Sequence, residues 1–281
     1  MTVMKIVKTV RSLRRMLSPV SGPVGFVPTM GCFHEGHLSL MRRAKAAGGF
    51  CVVSLFVNPA QFGPAEDLGR YPRDLARDAR LAASAGADLL FVPSGDEMYP
   101  LGHPESWVEV EGISHILCGA ARPGHFRGVA TVVAKLLNIV RPAVLYLGQK
   151  DFQQTVVIKK MVGALNFPVQ VVVCPTVREP DGLAMSSRNS YLLPSERAQA
   201  PVLFCALRLA RALAAAGESD AGKIISKIKK LILDETSATI EYINCVSADE
   251  LQEVRRIQGK TLMVLAVRFP SVRLIDNAVI K

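Results

Sequence analysis

Apolar runs and helical spacings alternate along the first 175 residues of the chain. A short apolar run predicts a strand over 24–28. The next spacing predicts a helix over 37–47, with Leu38, Leu40, Met41 and Ala44 on its buried side. Residues 51–57, rich in β-branched and aromatic side chains, read as a strand buried on both faces. The same reading predicts helices over 75–85, 129–140 and 152–165, and strands over 88–92, 143–147 and 169–174. Strands alternating with helices at this spacing indicate βαβ units and a doubly wound parallel sheet. After Pro175 the pattern changes. A loop over 178–189 holds Pro180 and Gly182, helices follow over 194–216 and 221–234, and β-rich pieces lie at 238–246, 261–267 and 272–275. This ordering predicts an α/β domain over 1–177 and a smaller α+β domain over 178–281, able to act as a lid. No internal repeat is visible.

Composition narrows the class. The chain has 281 residues, 49% of them hydrophobic, which excludes a disordered or fibrous protein. The strongest apolar run, 50–57, is far shorter than the ~20 residues of a membrane span, and 200–216 is interrupted by Arg208 and Arg211. Lys5, Lys8, Arg11, Arg14 and Arg15 crowd the N-terminal segment without an apolar stretch or cleavage site behind them, so neither export nor a membrane is expected. Cys32, Cys51, Cys118, Cys174, Cys205 and Cys245 lie far apart with no C-x-x-C, the pattern of free thiols in a reducing, cytoplasmic setting. The net charge of +10 is spread along the chain and by itself selects no partner.

The loops after the strands carry the chemistry, and in open parallel sheets ligands bind beyond the carboxyl ends of strands. Pro28, Thr29, Met30, Gly31, Cys32, Phe33, His34, Glu35, Gly36 and His37 form a strand–turn–helix junction with an H-x-G-H signature. A helix N-terminus offers backbone N–H groups and a positive dipole end to phosphate, and the imidazoles add donors where charge develops. A zinc reading is weaker, because H-E-x-x-H needs a four-residue spacing and no third ligand is evident. Met185, Ser186, Ser187, Arg188 and Asn189 place hydroxyls and a guanidinium on the later loop, suited to a triphosphate. Gly148, Gln149, Lys150 and Asp151 end a strand and open a helix that carries Gln154; Asp151 also suits a helix cap. Asn58 and Gln61 form an amide pair that either holds a small polar substrate or satisfies the turn. Arg122 precedes a Gly-bounded basic turn, 124–128.

Paired with the S-S-R-N loop on a doubly wound sheet, H-x-G-H resembles the signatures of the nucleotidyltransferase and class I aminoacyl-tRNA synthetase superfamily. Six motifs, PTMG-x-x-HEGH, LFVNPAQF, RYPRD, RPGHFRGV, G-x-KDFQQ and DGLAMSSRN, occur in order over 27–191. Together they resemble the pantothenate synthetase (pantoate–β-alanine ligase) family. The resemblance implies a Rossmann-like domain and ATP-dependent joining of pantoate to β-alanine through a pantoyl-adenylate, with Mg²⁺ and with AMP and pyrophosphate as products. It assigns ATP contacts to residues 30–37, to Gly148, Gln149, Lys150 and Asp151, to Val177, and to Met185, Ser186, Ser187 and Arg188. It assigns pantoate to Gln61 and Gln154, and β-alanine to Gln61. His34, His37, Lys150 and Arg188 are the expected catalytic residues, and Asn58, Tyr71 and Arg122 are expected to line the site. A homodimer is expected, with no nucleic-acid partner.

Three positions depart from the family pattern. Gln149 and Cys118 stand where the family usually has Glu, and Cys32 replaces a more usual Ala, Leu or aromatic residue. Losing two acids makes the expected cleft more positive, while the matched His, Gln, Lys, Ser and Arg positions are all present. Two other readings compete: an adenylyltransferase that passes AMP to a phosphate, which would not need the amide cluster, and an RNA-binding module, for which a basic–aromatic repeat is missing.

Overall fold

A computed structural model describes residues 4–64 and 66–281. The chain divides into two compact units. One runs up to Gly148 and resumes over Gln154–Pro175; the other comprises Gln149–Gln153 and Thr176–Lys281. The division thus falls two residues ahead of the expected 177/178, and Gln149–Gln153, expected in the first domain, groups with the second.

The first unit is built on six parallel strands: β1 (Lys5–Val7), β2 (Val24–Thr29), β3 (Phe50–Leu55), β4 (Leu89–Phe91), β5 (Val144–Gly148) and β6 (Gln170–Cys174). Their order is β1-β4-β3-β2-β5-β6, and every recorded pairing is parallel. The connecting helices are α1 (Val10–Leu17), α2 (Glu35–Ala46), α3 (Leu75–Ser84), α4 (Gly95–Met98), α5 (Cys118–Ala121), α6 (His125–Val140) and α7 (Phe152–Ala164). As the apolar run over 51–57 predicts, the centre of β3 is buried: Cys51, Val52, Val53 and Ser54 are all inaccessible. Helix α6 starts four residues earlier than its periodicity suggests, because Gly124 takes a left-handed conformation (φ 79°) and turns the chain into it. Strand β1 and helix α1 carry no clear apolar signal. β1 has three residues, and α1 relies on a Thr9–Ser12 capping box with only Leu13 buried.

The second unit contains α8 (Pro194–Gln199), α9 (Val202–Ala215) and α10 (Ala221–Glu235). They accompany an antiparallel sheet of β7 (Thr239–Ser247), β8 (Thr261–Arg268) and β9 (Arg273–Val279) in the order β7-β8-β9. The single helix expected over 194–216 is two helices, broken at Ala200–Pro201, since Pro201 has no N–H for the helical ladder. By length and composition alone, 194–215 is long and apolar enough to cross a membrane. Here Leu203, Ala206, Leu207 and Ala210 are buried in one core with Ile224, Ile228, Ile232 and the inner faces of β8 and β9.

Candidate active site

Strand β2 lies between β3 and β5, so the carboxyl ends of three neighbouring strands, Thr29, Leu55 and Gly148, face one edge of the first unit. The order reverses between β2 and β5, the switch point where open parallel sheets bind ligands.

The H-x-G-H turn leaves β2 through Thr29, whose hydroxyl donates to Ser54 O (2.6 Å) and accepts the Gly31 N–H (3.3 Å). Gly31 has φ 86°, and a Cβ there would sit 3.0 Å from Asp78 Oδ2 and 3.1 Å from the Leu55 side chain. The buried carboxylate of Asp78, on α3, then accepts the N–H groups of Cys32 (2.8 Å) and Phe33 (2.7 Å). His34 caps α2: its Nδ1 accepts the Gly36 N–H at 3.1 Å, while His37 Nδ1 accepts the His34 N–H at 3.4 Å. An imidazole nitrogen that accepts carries no proton, so both rings hold their proton on Nε2. The ring centroids lie 4.1 Å apart with their planes tilted by 41°. On the turn, the N–H groups of Gly31, Cys32, Phe33, His34 and Gly36 are engaged by side chains. Cys32 takes φ 51° and is half-buried; burial pushes its thiol above the ordinary range, with Asp78 adding to the effect. Glu35 pairs with Arg42 on α2.

Of the two roles expected of the amide pair, the structure shows the one in the turn. Asn58 caps the short turn Pro59–Gln61 by accepting the Ala60 N–H, and it also organises Gln61. Tyr99 O–H donates to Asn58 Oδ1 (2.9 Å), so Asn58 Nδ2 is left to donate to Gln61 Oε1 (3.1 Å) and Gly128 O (3.2 Å). Gln61 must then turn its own NH₂ outward, where it meets the Met30 sulfur at 3.2 Å. A thioether is a weak acceptor, so a carboxylate or hydroxyl oxygen would replace it favourably. Burial pushes the Tyr99 hydroxyl up to about 12, which keeps it a donor. Gly128 makes the arrangement possible: a Cβ there would stand 2.2 Å from Ala60 O, so only glycine lets α6 press against this turn.

Arg122 is engaged within the protein. It forms a two-point ion pair with Glu66 (2.5 and 2.8 Å) and donates to His125 Nε2 at 3.0 Å, while His125 Nδ1–H donates to Gln61 O at 2.9 Å. Arg122 therefore has a carboxylate partner in Glu66, and Cys118 is buried at the start of α5. Tyr71 is buried edge-on against Phe62 and belongs to the packing beneath the turn. Gln154 lies in the first turn of α7, half-buried.

The remaining expected residues belong to the second unit. Gln149, Lys150 and Asp151 form a single 3₁₀ turn, with Lys150 Nζ 3.7 Å from Asp151 Oδ1. Met185 N–H donates to Val177 O (3.0 Å), so these two expected ATP contacts are joined across a tight loop. Ser186 caps the turn Ser187–Tyr191 by accepting the Arg188 N–H at 3.2 Å, and Asn189 Nδ2 donates to Ala184 O at 3.1 Å. Sequence reasoning missed Asp78 and Tyr99, whose partners Cys32, Phe33 and Asn58 lie 41 to 46 residues away, and read His125 only as part of the basic turn 124–128. Asp78 alone left a signal, a carboxylate on the same helical face as buried Ala82.

Among the described residues, no group of three or more His, Cys, Asp or Glu could hold a metal ion. A Mg²⁺ carried by phosphates and water would need few protein ligands, and Asp151 would be the carboxylate beside Lys150 to meet it.

A parallel sheet of this order, with H-x-G-H at its switch point and a small antiparallel C-terminal sheet, is a nucleotidyltransferase-like fold. The family model described as pantoate-beta-alanine ligase matches residues 4–279. Pantothenate synthetase of Acetivibrio thermocellus is 51% identical over 281 residues, covering 99% of this chain and 100% of that one. The crystal structure of pantoate-beta-alanine ligase (pantothenate synthetase) from Thermus thermophilus superposes with a TM-score of 0.95 at 48% identity, covering 99% of each chain. The ligase of Francisella tularensis, solved in complex with beta-gamma ATP and β-alanine, gives 0.81 at 35% identity, covering 98% of this chain and 97% of that one. The chain belongs to the pantoate–β-alanine ligase family and is a ligase.

Proposed function

We propose that the chain condenses pantoate with β-alanine through a pantoyl-adenylate, releasing pyrophosphate and then AMP. A pantoate carboxylate oxygen attacks the α-phosphorus of ATP as the bond to the bridging oxygen breaks, and pyrophosphate departs with that electron pair. The β-alanine amine then attacks the acyl carbon, the bond from acyl carbon to phosphate oxygen breaks, AMP leaves and the amine proton is lost. Both steps build negative charge on phosphate oxygens, so preorganised donors at those oxygens lower the barrier.

The observation that carries this reading is the pair of imidazoles whose Nδ1 atoms are taken by backbone N–H groups. Their Nε2–H groups are oriented before substrate arrives and stabilise the charge that develops on the α-phosphate. Gln61 presents its NH₂ to pantoate and then to β-alanine, and Gln154 gives pantoate a second amide. Lys150, Ser186, Ser187 and Arg188 neutralise the departing pyrophosphate. Mg²⁺ accompanies ATP and supplies charge neutralisation to its phosphates. The reading includes a homodimer in the cytoplasm.

Pyrophosphate–ATP exchange tests it. Purified protein with Mg²⁺ exchanges label only when pantoate is present, and AMP and pantothenate accumulate once β-alanine is added. Exchange without pantoate, or ADP in place of AMP, would remove the adenylate route.

A further inference from the structure

The residues expected to meet phosphate in the second unit lie on two separate stretches, Gln149–Asp151 and the loop over 178–188. Both are attached to neighbouring residues of one strand. Asp276 and Asn277 of β9 are each buried, against Leu265 and Val264 of the central strand β8. Asn277 Nδ2 donates to two consecutive carbonyls, Gln149 O (3.0 Å) and Lys150 O (2.9 Å). This fixes the orientation of its amide, and Asn277 Oδ1 faces Gln149 Nε2 at 3.4 Å. Asp276 takes the Arg178 guanidinium in a two-point pair, with Nη1 to Oδ2 at 2.6 Å and Nη2 to Oδ1 at 3.0 Å. Arg178 Nη1 also donates to Gly182 O (3.1 Å), and the guanidinium lies 4.2 Å over the Phe204 ring, so the base of the loop is closed and seated. Asp276 Oδ1 additionally accepts the Asn277 N–H at 2.7 Å, which links the two anchors.

We infer that Asn277 is a positioning residue for ATP: it holds the Gln149–Asp151 turn so that Lys150 meets phosphate, while Asp276 holds the Arg178 end of the companion loop. The inference rests on the reading that Lys150 contacts ATP. Two features favour a positioning role over simple packing. Both bonds from Asn277 end on backbone carbonyls of the turn itself, and turning those carbonyls toward β9 removes their partial negative charge from any approaching phosphate. Lys150 is also the central residue of that turn, so a bond to its own carbonyl holds the backbone from which its side chain leaves.

The experiment compares Asn277→Ala, the isosteric Asn277→Asp, Lys150→Ala and Lys150→Ala with Asn277→Ala, in the full-length chain. Each is assayed for KM of ATP, KM of pantoate, kcat and melting temperature. Asn277→Ala and Asn277→Asp each raise KM for ATP about tenfold and leave KM for pantoate unchanged. In the Lys150→Ala background, Asn277→Ala changes KM for ATP less than about twofold, because its effect passes through Lys150. A purely structural Asn277 would lower melting temperature and active fraction with KM for ATP unchanged in both variants, and that result overturns the inference. So does full additivity in the double variant. If Lys150→Ala itself leaves KM for ATP unaltered, the ATP reading of the turn fails first and the inference falls with it.

Discussion

The H-x-G-H turn of the first unit and the two anchored stretches of the second differ in which backbone groups their side chains chiefly hold. In the first, acceptors hold backbone donors: Asp78, Thr29 Oγ1 and the two imidazole Nδ1 atoms take N–H groups. In the second, Asn277, Arg178 and Asn189 take carbonyls, while Ser186 and Asp181 accept the N–H groups of Arg188 and Leu183. The first arrangement spends backbone N–H groups to aim ring N–H groups. The second hides carbonyls, which under the proposed function leaves its side-chain cations and hydroxyls without competing negative charge. One is suited to the charge that appears in the transition state, the other to charge already on the nucleotide.

The comparison breaks most directly at His37. His37→Ala lowers the rate of pantoate-dependent exchange by about a hundredfold or more with little change in KM for ATP. An unchanged rate in the folded variant would take the ring out of the chemistry. Gly128→Ala comes next, since its Cβ would lie 2.2 Å from Ala60 O and must push α6 away from Gln61. KM for pantoate rises about tenfold, and stability falls by about 2 kcal/mol in urea unfolding. An unshifted KM would detach Gln61 from the substrate. Asp78→Asn sets an NH₂ against a backbone N–H. It costs about 2 kcal/mol of stability and slows exchange severalfold, whereas a stability loss at full activity would show the turn needs no such brace.

The smallest effect sharpens the contrast by reading each unit separately. Burial pushes the Cys51 thiol up to about 12 and the Cys245 thiol up to about 11, while Cys205 is exposed. Only thiolate reacts, so an alkylating reagent labels Cys205 in the native protein and spares the other two. With added urea, Cys51 and Cys245 become reactive at different concentrations. Simultaneous labelling would show that the two units unfold as one.

The strands legible in the sequence are those buried on both sides, β3 above all, because a continuous apolar run leaves little else to build. The break at Pro201 was written in the chain but overridden by the apolar spacing around it, and β1 was too short to carry a pattern. The H-x-G-H and S-S-R-N residues were legible as chemistry because they are contiguous. Asp78 and Asn277 were not: their partners are backbone groups 45 to 128 residues away, and a backbone group has no residue type to recognise. Cys118 and Gln149 looked like lost acids from sequence alone. In the structure Cys118 is buried at the start of α5, and Gln149 faces Asn277, a partner that spacing could not reveal.

The chain passes between the two units at 148/149, 153/154 and 175/176, so the loan of Gln149–Gln153 sets a timetable for synthesis. All six strands of the parallel sheet have been made once Cys174 has left the ribosome. The turn that carries Lys150 then waits for Asn277, made 128 residues after Gln149, a delay of roughly ten seconds at ordinary rates of translation. During that interval the nascent protein has its sheet and its imidazoles but not its seat for Lys150. A growing chain therefore completes the H-x-G-H turn long before the anchor of Lys150.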